Sequence, residues 1–106
     1  MDRKQLIGSL NLSGIGVEVG VQSGDYANMI LEESKLHLIL VDAWRHLDDY
    51  PDKGNVATEQ HLNLMNNTLK TLMPKYEGRF TLMRELSLQA ASLFSDNFFD
   101  FVYLLV

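Results

Sequence analysis

The chain has 106 residues, a length that suits one small domain with its own apolar core, and we treat residues 1–106 as a single domain. Its net charge is −5 and its basic residues are scattered, so we expect no nucleic-acid partner. It has no cysteine, which removes disulfides and thiolate chemistry, and it shows neither a membrane-spanning apolar run nor a secretory signal. We therefore expect a cytoplasmic protein with no membrane partner.

Helical and strand patterns alternate along the first half of the chain. Residues 2–10 predict a short helix, and the β-branched run at 15–20 predicts a strand that is buried on both faces. Residues 26–34 carry apolar side chains at helical spacing, and LHLILV at 36–41 predicts a second buried strand. Residues 45–55 are rich in Asp, Pro and Gly, which predicts a surface loop.

The same alternation continues in the second half. Residues 56–73 predict a long helix whose apolar stripe consists of Leu62, Met65, Leu69 and Leu72, and this stripe leaves His61 on the exposed side. Residues 80–83 predict a third strand, and residues 87–94 predict a short helix that turns Leu88, Ala91 and Leu93 inward. Residues 98–106 predict a fourth strand.

The order of the predicted elements is α-β-α-β-α-β-α-β. Strands that alternate with helices are joined by right-handed crossovers, which makes neighbouring strands parallel. The sequence therefore predicts an α/β protein of three layers, with a mostly parallel four-stranded sheet between two layers of helices.

The turn after the first strand is rich in glycine. In an open parallel sheet, ligands bind beyond the carboxyl ends of the strands, and the segment Gly20-Val21-Gln22-Ser23-Gly24 lies at that end of the first strand. Its glycines would let the backbone approach a ligand, while Ser23 or Asp25 could cap the following helix. A tight turn with no ligand remains the alternative interpretation of the same residues.

A carboxylate follows the second strand in a matching position. Asp42 stands 18 residues after Gly24, close to the spacing of a ribose-binding acid in nucleotide-binding folds. Its two oxygens can accept both ribose hydroxyls, although it could also only cap a loop. NAD is disfavoured because the nearest fingerprint candidate, Gly14-Ile-Gly16, precedes the strand and has Val19 where the third glycine belongs. ATP is disfavoured because Gly24 is followed by an acid rather than by a lysine.

These residues resemble the class I S-adenosylmethionine-dependent methyltransferases, in particular the branch that acts on small molecules and sugars. The resemblance runs from about residue 16 to residue 103 and includes an acid on the first strand, the turn, LILVDAW and FFDFVYLLV. It implies a Rossmann-like methyltransferase fold with the strand order 3-2-1-4-5-7-6. Physical chemistry agrees with a cationic cofactor, since acids beside the turn attract a sulfonium and repel a pyrophosphate.

The resemblance also implies a set of cofactor contacts. Glu18 would position the methionine end, the turn backbone would approach it, and Asp42 would bind the ribose. Ala43 and Trp44 would lie beside the adenine, which the segment after the third strand would also contact; for Trp44, packing within the loop is the alternative. The implied binding residues for S-adenosylmethionine are Glu18, Gly20, Val21, Gln22, Ser23, Gly24, Asp42, Ala43, Trp44, Arg84, Glu85 and Ser87.

Two departures from the family pattern limit what can be predicted about catalysis. Gln22 replaces the middle glycine of the turn, and the end of the fourth strand carries Leu105 where the family commonly has an acid. We therefore expect this chain to be the cofactor-binding, N-terminal half of a methyltransferase that is truncated after the fourth strand, with no assignable catalytic residue. The fourth strand would be an apolar sheet edge with Asp100 as its one charge, so we expect a homodimer through this edge or aggregation.

The function predicted from these observations is methyl transfer from S-adenosylmethionine to an oxygen or nitrogen of a small molecule. A non-catalytic remnant or interaction module is the main alternative, and a nicotinamide-dependent oxidoreductase is a weaker one. His46 with the acids at 48, 49 and 52 could form a cation site, but we interpret this loop as a solvated acidic surface and expect no metal.

Overall fold

The computed structural model of the chain describes residues 1–47 and 57–104, and within these ranges helices and strands alternate as predicted. The helices are α1 (Arg3–Ser9), α2 (Asp25–Glu33), α3 (Thr58–Leu72) and α4 (Ser87–Ala91). The strands are β1 (Ser13–Val19), β2 (Lys35–Val41), β3 (Phe80–Met83) and β4 (Phe101–Leu104). The predicted α/β class is confirmed. Most of the acidic loop predicted at 45–55 lies outside the described residues.

The four strands form one parallel sheet with the order β3-β2-β1-β4. The chain adds β2 and β3 on one side of β1 and then crosses back to place β4 on the other side. This reversal creates a topological switch point at the carboxyl ends of β1 and β4, the edge at which open parallel sheets bind ligands. The predicted parallel sheet is confirmed, and the architecture is consistent with a Rossmann-like fold.

Helices cover both faces of the sheet. On one face α2 and α3 pack over the alternate side chains of β2, and α1 packs against α2. That core contains Ala27, Ile30, Leu31, Leu36, Leu38, Leu40 and Leu72. On the other face, the shorter α4 covers a smaller apolar group that contains Val17, Ile39, Val41 and Ala90. The alternation of side chains along each strand therefore directs even-numbered residues of β1 and β2 to the larger core.

The buried face of α3 differs from the predicted stripe. His61 is buried and Thr68 is fully buried, whereas Leu62 and Leu69 are only half-buried. Met65 and Leu72 of the predicted stripe reach the larger core, and Leu64 joins them in place of Leu62 and Leu69. The prediction that His61 is exposed is therefore wrong.

Helix α4 is shorter than the helix predicted at residues 87–94, and β4 begins at Phe101 rather than at residue 98. The end of the predicted fourth strand, residues 105–106 with Leu105, lies outside the described residues. Helix α4 ends at Ala91, and Leu88, Ala91 and Leu93 are all exposed, so the prediction that they face inward is wrong. Ala90 and Phe94 make the contact with the sheet instead. Phe98 and Phe99 precede β4 and stack with Phe94 in an aromatic cluster rather than continuing the strand.

Asp100 joins the amino ends of β1 and β4. Its carboxylate accepts a hydrogen bond from the backbone N–H of Ile15 at 2.9 Å, and its own N–H donates to the Ile15 carbonyl at 2.8 Å. Gly14 has a φ of 92°, and a side chain there would overlap the Asp100 carboxylate. Asp100 therefore anchors the strand pair. In the described part of the chain, no helix is long and apolar enough to span a membrane.

Candidate functional site

The turn between β1 and α2 is held in shape by glycine. Gly24 has a φ of 90°, a left-handed conformation, and forms the N-cap of α2. A Cβ at this position would lie 3.0 Å from Thr68 Cγ2 and 3.1 Å from Thr68 Cα. Glycine is therefore needed at position 24 for two reasons, the backbone conformation and the close approach of α3.

The peptide of Gln22 is the central hydrogen-bonding group of the turn. Its N–H donates to Asp42 Oδ2 at 2.9 Å. Its carbonyl oxygen accepts from Trp44 Nε1 and from Thr68 Oγ1, each at 2.9 Å. Gln22 itself has a φ of 58°, so a non-glycine residue takes the left-handed conformation where the resembling family has glycine. Three residues from two other segments, the segment after β2 and helix α3, thus stabilise the backbone conformation that Gln22 adopts.

Asp42 lies at the carboxyl end of β2 and connects two loops. Its Oδ2 accepts from the N–H of Gln22, and its Oδ1 accepts from the N–H of Trp44 at 2.9 Å. A carboxylate has about four lone-pair positions, so each oxygen of Asp42 retains a position for a further donor. The residue is half-buried and lines a cavity. Asp42 can therefore orient the turn and contact a ligand at the same time.

The segment after β3 is tied to the segment after β2. Arg84 donates from Nε to the carbonyl of Ala43 and from Nη2 to the carbonyl of Trp44, both at 3.1 Å. The backbone N–H of Glu85 donates to the carbonyl of Asp42 at 3.1 Å. The guanidinium of Arg84 thus holds the backbone at 43 and 44 in place, and residues 84–87 form one wall beside Asp42.

These segments line an open cavity of about 780 Å³ at the carboxyl ends of β1 and β2. This volume lies within the range of pockets that bind small molecules and cofactors. Five of the predicted binding residues line the cavity: Gly20, Asp42, Ala43, Glu85 and Ser87. The carboxyl ends of β1 and β2, the first glycine of the turn and the predicted ribose-binding acid therefore meet at one site.

The remaining predicted residues lie near the cavity without lining it. Val21 and Trp44 are buried in the larger core, and the indole of Trp44 is fully covered. The backbone of Gln22 holds the turn, while Ser23 Oγ donates to Asp25 Oδ2 at 3.1 Å. In this structure the ring of Trp44 therefore packs within the protein, which is the alternative that the sequence left open.

Glu18 lies behind the turn, on the face of β1 that points into the larger core. Its side chain is 0% exposed, and neither carboxylate oxygen has a hydrogen-bond partner in the described part of the chain. Burial, with a smaller contribution from the charge of Asp42, raises the pKa of Glu18 to about 8. At neutral pH the Glu18 carboxyl is therefore mostly protonated.

Sequence reasoning missed several residues of the site. Thr68 of α3 donates a hydrogen bond from Oγ1 to the carbonyl of Gln22 in the turn. The sequence feature that could have revealed this residue is a polar, β-branched side chain inside an apolar helical stripe. Arg45 and Leu86 also line the cavity, next to residues that were predicted. Arg45 carried no signal because its loop has no periodic pattern.

Cation ligands are not grouped in the part of the chain that the structure describes, since residues 1–47 and 57–104 contain no cluster of three or more His, Asp or Glu side chains suited to a metal. His46 lines the cavity. The acids at 48, 49 and 52, considered with it in the sequence, lie outside the described residues.

In comparisons with known proteins, no family model, no curated protein and no solved structure matches this chain.

Proposed function

We propose that this chain is the cofactor-binding part of an S-adenosylmethionine-dependent methyltransferase that acts on a small molecule. One observation carries the proposal: a single cavity at the carboxyl edge of a parallel sheet is lined by Gly20 of the glycine turn, by Asp42 and by Glu85 and Ser87. These are positions that the family resemblance assigned to the cofactor. The strand order β3-β2-β1-β4 also agrees with the first four positions of the order that the resemblance implies.

The residues of the cavity suit an adenosine linked to a cationic group. Asp42 has oxygen lone pairs left for ribose hydroxyls after its two backbone contacts. Asp42 and Glu85 supply two negative charges against the single positive charge of Arg45, which favours a sulfonium over a pyrophosphate. The cofactor would supply an activated methyl group. The chain would supply binding and alignment, which account for much of the rate in a direct displacement.

A non-catalytic Rossmann-like module is the second candidate, and one observation favours it. Asp42, Trp44 and Thr68 already bond the N–H and the carbonyl of Gln22, at the centre of the turn, without a ligand. An interaction module that has kept the fold needs nothing more. Methyl transfer to any small-molecule acceptor would exclude this candidate. The nicotinamide alternative is weaker, because Gly14 and Gly16 lie within β1 and away from the turn.

The test is calorimetric titration with S-adenosylmethionine and S-adenosylhomocysteine, with NAD and ATP as comparison ligands. We expect both adenosyl ligands to bind and Asp42→Asn to weaken their binding at least about tenfold, since a charged hydrogen bond is worth about 1.5–3 kcal/mol. Asp100→Asn is the matched control, because Asp100 also accepts a backbone N–H but at the opposite edge of the sheet.

Both variants should lose stability, and only Asp42→Asn should lose affinity. Thermal unfolding measured on the same samples separates the two effects. If the folded wild-type chain binds neither adenosyl ligand, or if both variants weaken binding equally, the proposed site is wrong.

A further inference from the structure

The carboxyl edge of the sheet holds two acids in contrasting surroundings. Asp42 accepts two backbone N–H bonds and faces the cavity. Glu18 is 0% exposed and has no donor to either oxygen among the described residues. Burying a carboxylate without hydrogen bonds or a counter-ion is strongly unfavourable, whereas a neutral carboxyl is tolerated. The geometry therefore favours a proton on Glu18 and a charge on Asp42.

Among residues 1–47 and 57–104, the neighbours of Glu18 do not supply a positive charge in contact with it. In the sheet it is paired with Leu40 of β2 and Tyr103 of β4. Tyr103 stacks with Tyr26 of α2 at 5.6 Å, and the guanidinium of Arg3 from α1 lies over Tyr26. The rings of Tyr103 and Tyr26 thus lie between Glu18 and the guanidinium of Arg3. Helix α3 adds the buried His61 to the same side of the sheet.

A cationic ligand in the cavity would shift the equilibrium between the protonated and ionised forms of Glu18. Glu18 is paired with Leu40 in the sheet, and Gly20 and Asp42, each two residues further along, line the cavity. The Glu18 carboxyl is buried, so a positive charge near the turn would act on it through a poorly screened medium. Such a charge favours the ionised form of a nearby acid. The ligand and the proton on Glu18 are therefore competitors for the same negative charge.

We propose that Glu18 is a proton-exchanging counter-ion, so that binding of the cationic methyl donor at this site expels the proton from its carboxyl group. The inference rests on the proposed function. It adds that donor binding is linked to proton release and tightens as the pH rises. It also adds a preference for the sulfonium donor over the neutral thioether product, because only the donor carries the extra positive charge.

The first test needs no ligand. Carbon-detected NMR of the glutamate side chains in the wild-type chain follows the ionisation of Glu18, with Glu18→Gln to assign its signal. Because burial raises the pKa of Glu18 to about 8, its resonance should shift above pH 7, well above the range of an exposed glutamate. A Glu18 resonance that shifts near pH 4.5 would overturn the inference.

The second test counts protons. Titration calorimetry with S-adenosylmethionine at pH 7, in buffers of different ionisation enthalpy, should show release of roughly 0.9 proton per donor bound, since an acid with a pKa near 8 is mostly protonated at that pH. S-adenosylhomocysteine should release fewer protons. Between pH 6 and 7.5 the donor affinity should rise by nearly tenfold per pH unit.

Glu18→Gln separates this effect from every other titrating group. The variant keeps Asp42, Tyr103, Tyr26, Arg3, His61 and the ligand's own amino group, so their contributions cancel in the comparison. It should bind the donor without the release of this proton. Donor binding with equal proton release in both proteins overturns the inference and leaves the proposed function standing. Absence of any donor binding overturns both.

Discussion

Glu18 is the residue whose presence costs the fold stability most clearly and whose role in the proposed function would explain that cost. Its carboxyl group is fully buried, unpartnered among the described residues and close enough to Asp42 to be affected by its charge. A residue that served only packing would be expected to be apolar at this position, like Val17 and Val19 on either side. The cost of keeping an acid here points to a role in binding.

The stability of the chain should therefore depend on pH through Glu18. Its pKa is about 8 in the folded chain and near 4.5 when exposed, so from about pH 4.5 to 8 the folded state holds a proton that the unfolded state has lost. Stability then falls as the pH rises, by up to about 1.4 kcal/mol per pH unit, and the loss is complete near pH 8.

Glu18→Gln should remove this fall in stability. Urea unfolding at pH 5, 6, 7 and 8 should show the variant gaining on the wild type by up to about 1.4 kcal/mol per pH unit. An unchanged difference between the two proteins across this range would mean that Glu18 is ionised in the folded chain.

For single residues, the sequence predicted where a residue lies in the fold better than which contacts it makes. The location of Asp42 followed from the strand before it and from its distance to Gly24, because both patterns are local. The contacts of Gln22 with Trp44 and Thr68 could not be predicted, since they join residues 22 and 46 positions apart in the chain. Long-range hydrogen bonds leave no periodic signal.

Among the elements, α2 and α3 depend on a close approach at the turn. Gly24 ends the turn in a left-handed conformation and contacts Thr68 of α3. The site is therefore shaped by helix packing as well as by the strand ends.

Gly24→Ala should destabilise the chain more than Gly78→Ala. Both glycines have positive φ, at 90° and 82°, so each alanine should cost about 1–2 kcal/mol for its backbone conformation. Gly78 has nothing within 4 Å of an added Cβ, whereas at position 24 the added Cβ crowds Thr68, and such crowding costs about 1–3 kcal/mol more. Chemical denaturation of the two variants gives the difference directly. Equal losses would mean that the turn and α3 are not tightly packed.

The elements also show where sequence patterns fail. The strands were located well because buried β-branched runs are distinctive. Helix α4 was misread because one turn of helix has too few positions to define a buried side. In α3, His61 and Thr68 are buried although they lie outside the predicted leucine stripe. Positions beside such a stripe can hold polar or apolar residues, so the pattern alone did not show which of them are buried.

At the scale of the whole molecule, the two faces of the sheet are unequally covered. On the face beneath α4, Val102 and Leu104 of β4 are 53% and 59% exposed. Leu88 of α4 itself is 83% exposed. Strand β4 is paired only with β1 in the described sheet. An uncovered apolar strand at a sheet edge favours pairing with another chain.

We expect the chain to associate with itself through β4. Leu104→Lys should shift sedimentation toward the monomer, because a charge on the apolar face opposes its burial. Leu6→Lys on α1 is the matched control, since Leu6 is 49% exposed on another part of the surface. A wild-type chain that sediments as a monomer at every concentration would refute this prediction.

The most direct test of the central claim is to map the binding of S-adenosylmethionine onto the backbone by NMR. Amide shifts should be concentrated in residues 18–24, 42–44 and 84–87, which surround the cavity, and none should occur at Gly14 or Arg79 at the opposite edge of the sheet. Saturating ligand that moves no amide, or that moves amides only at the opposite edge, would contradict the central claim.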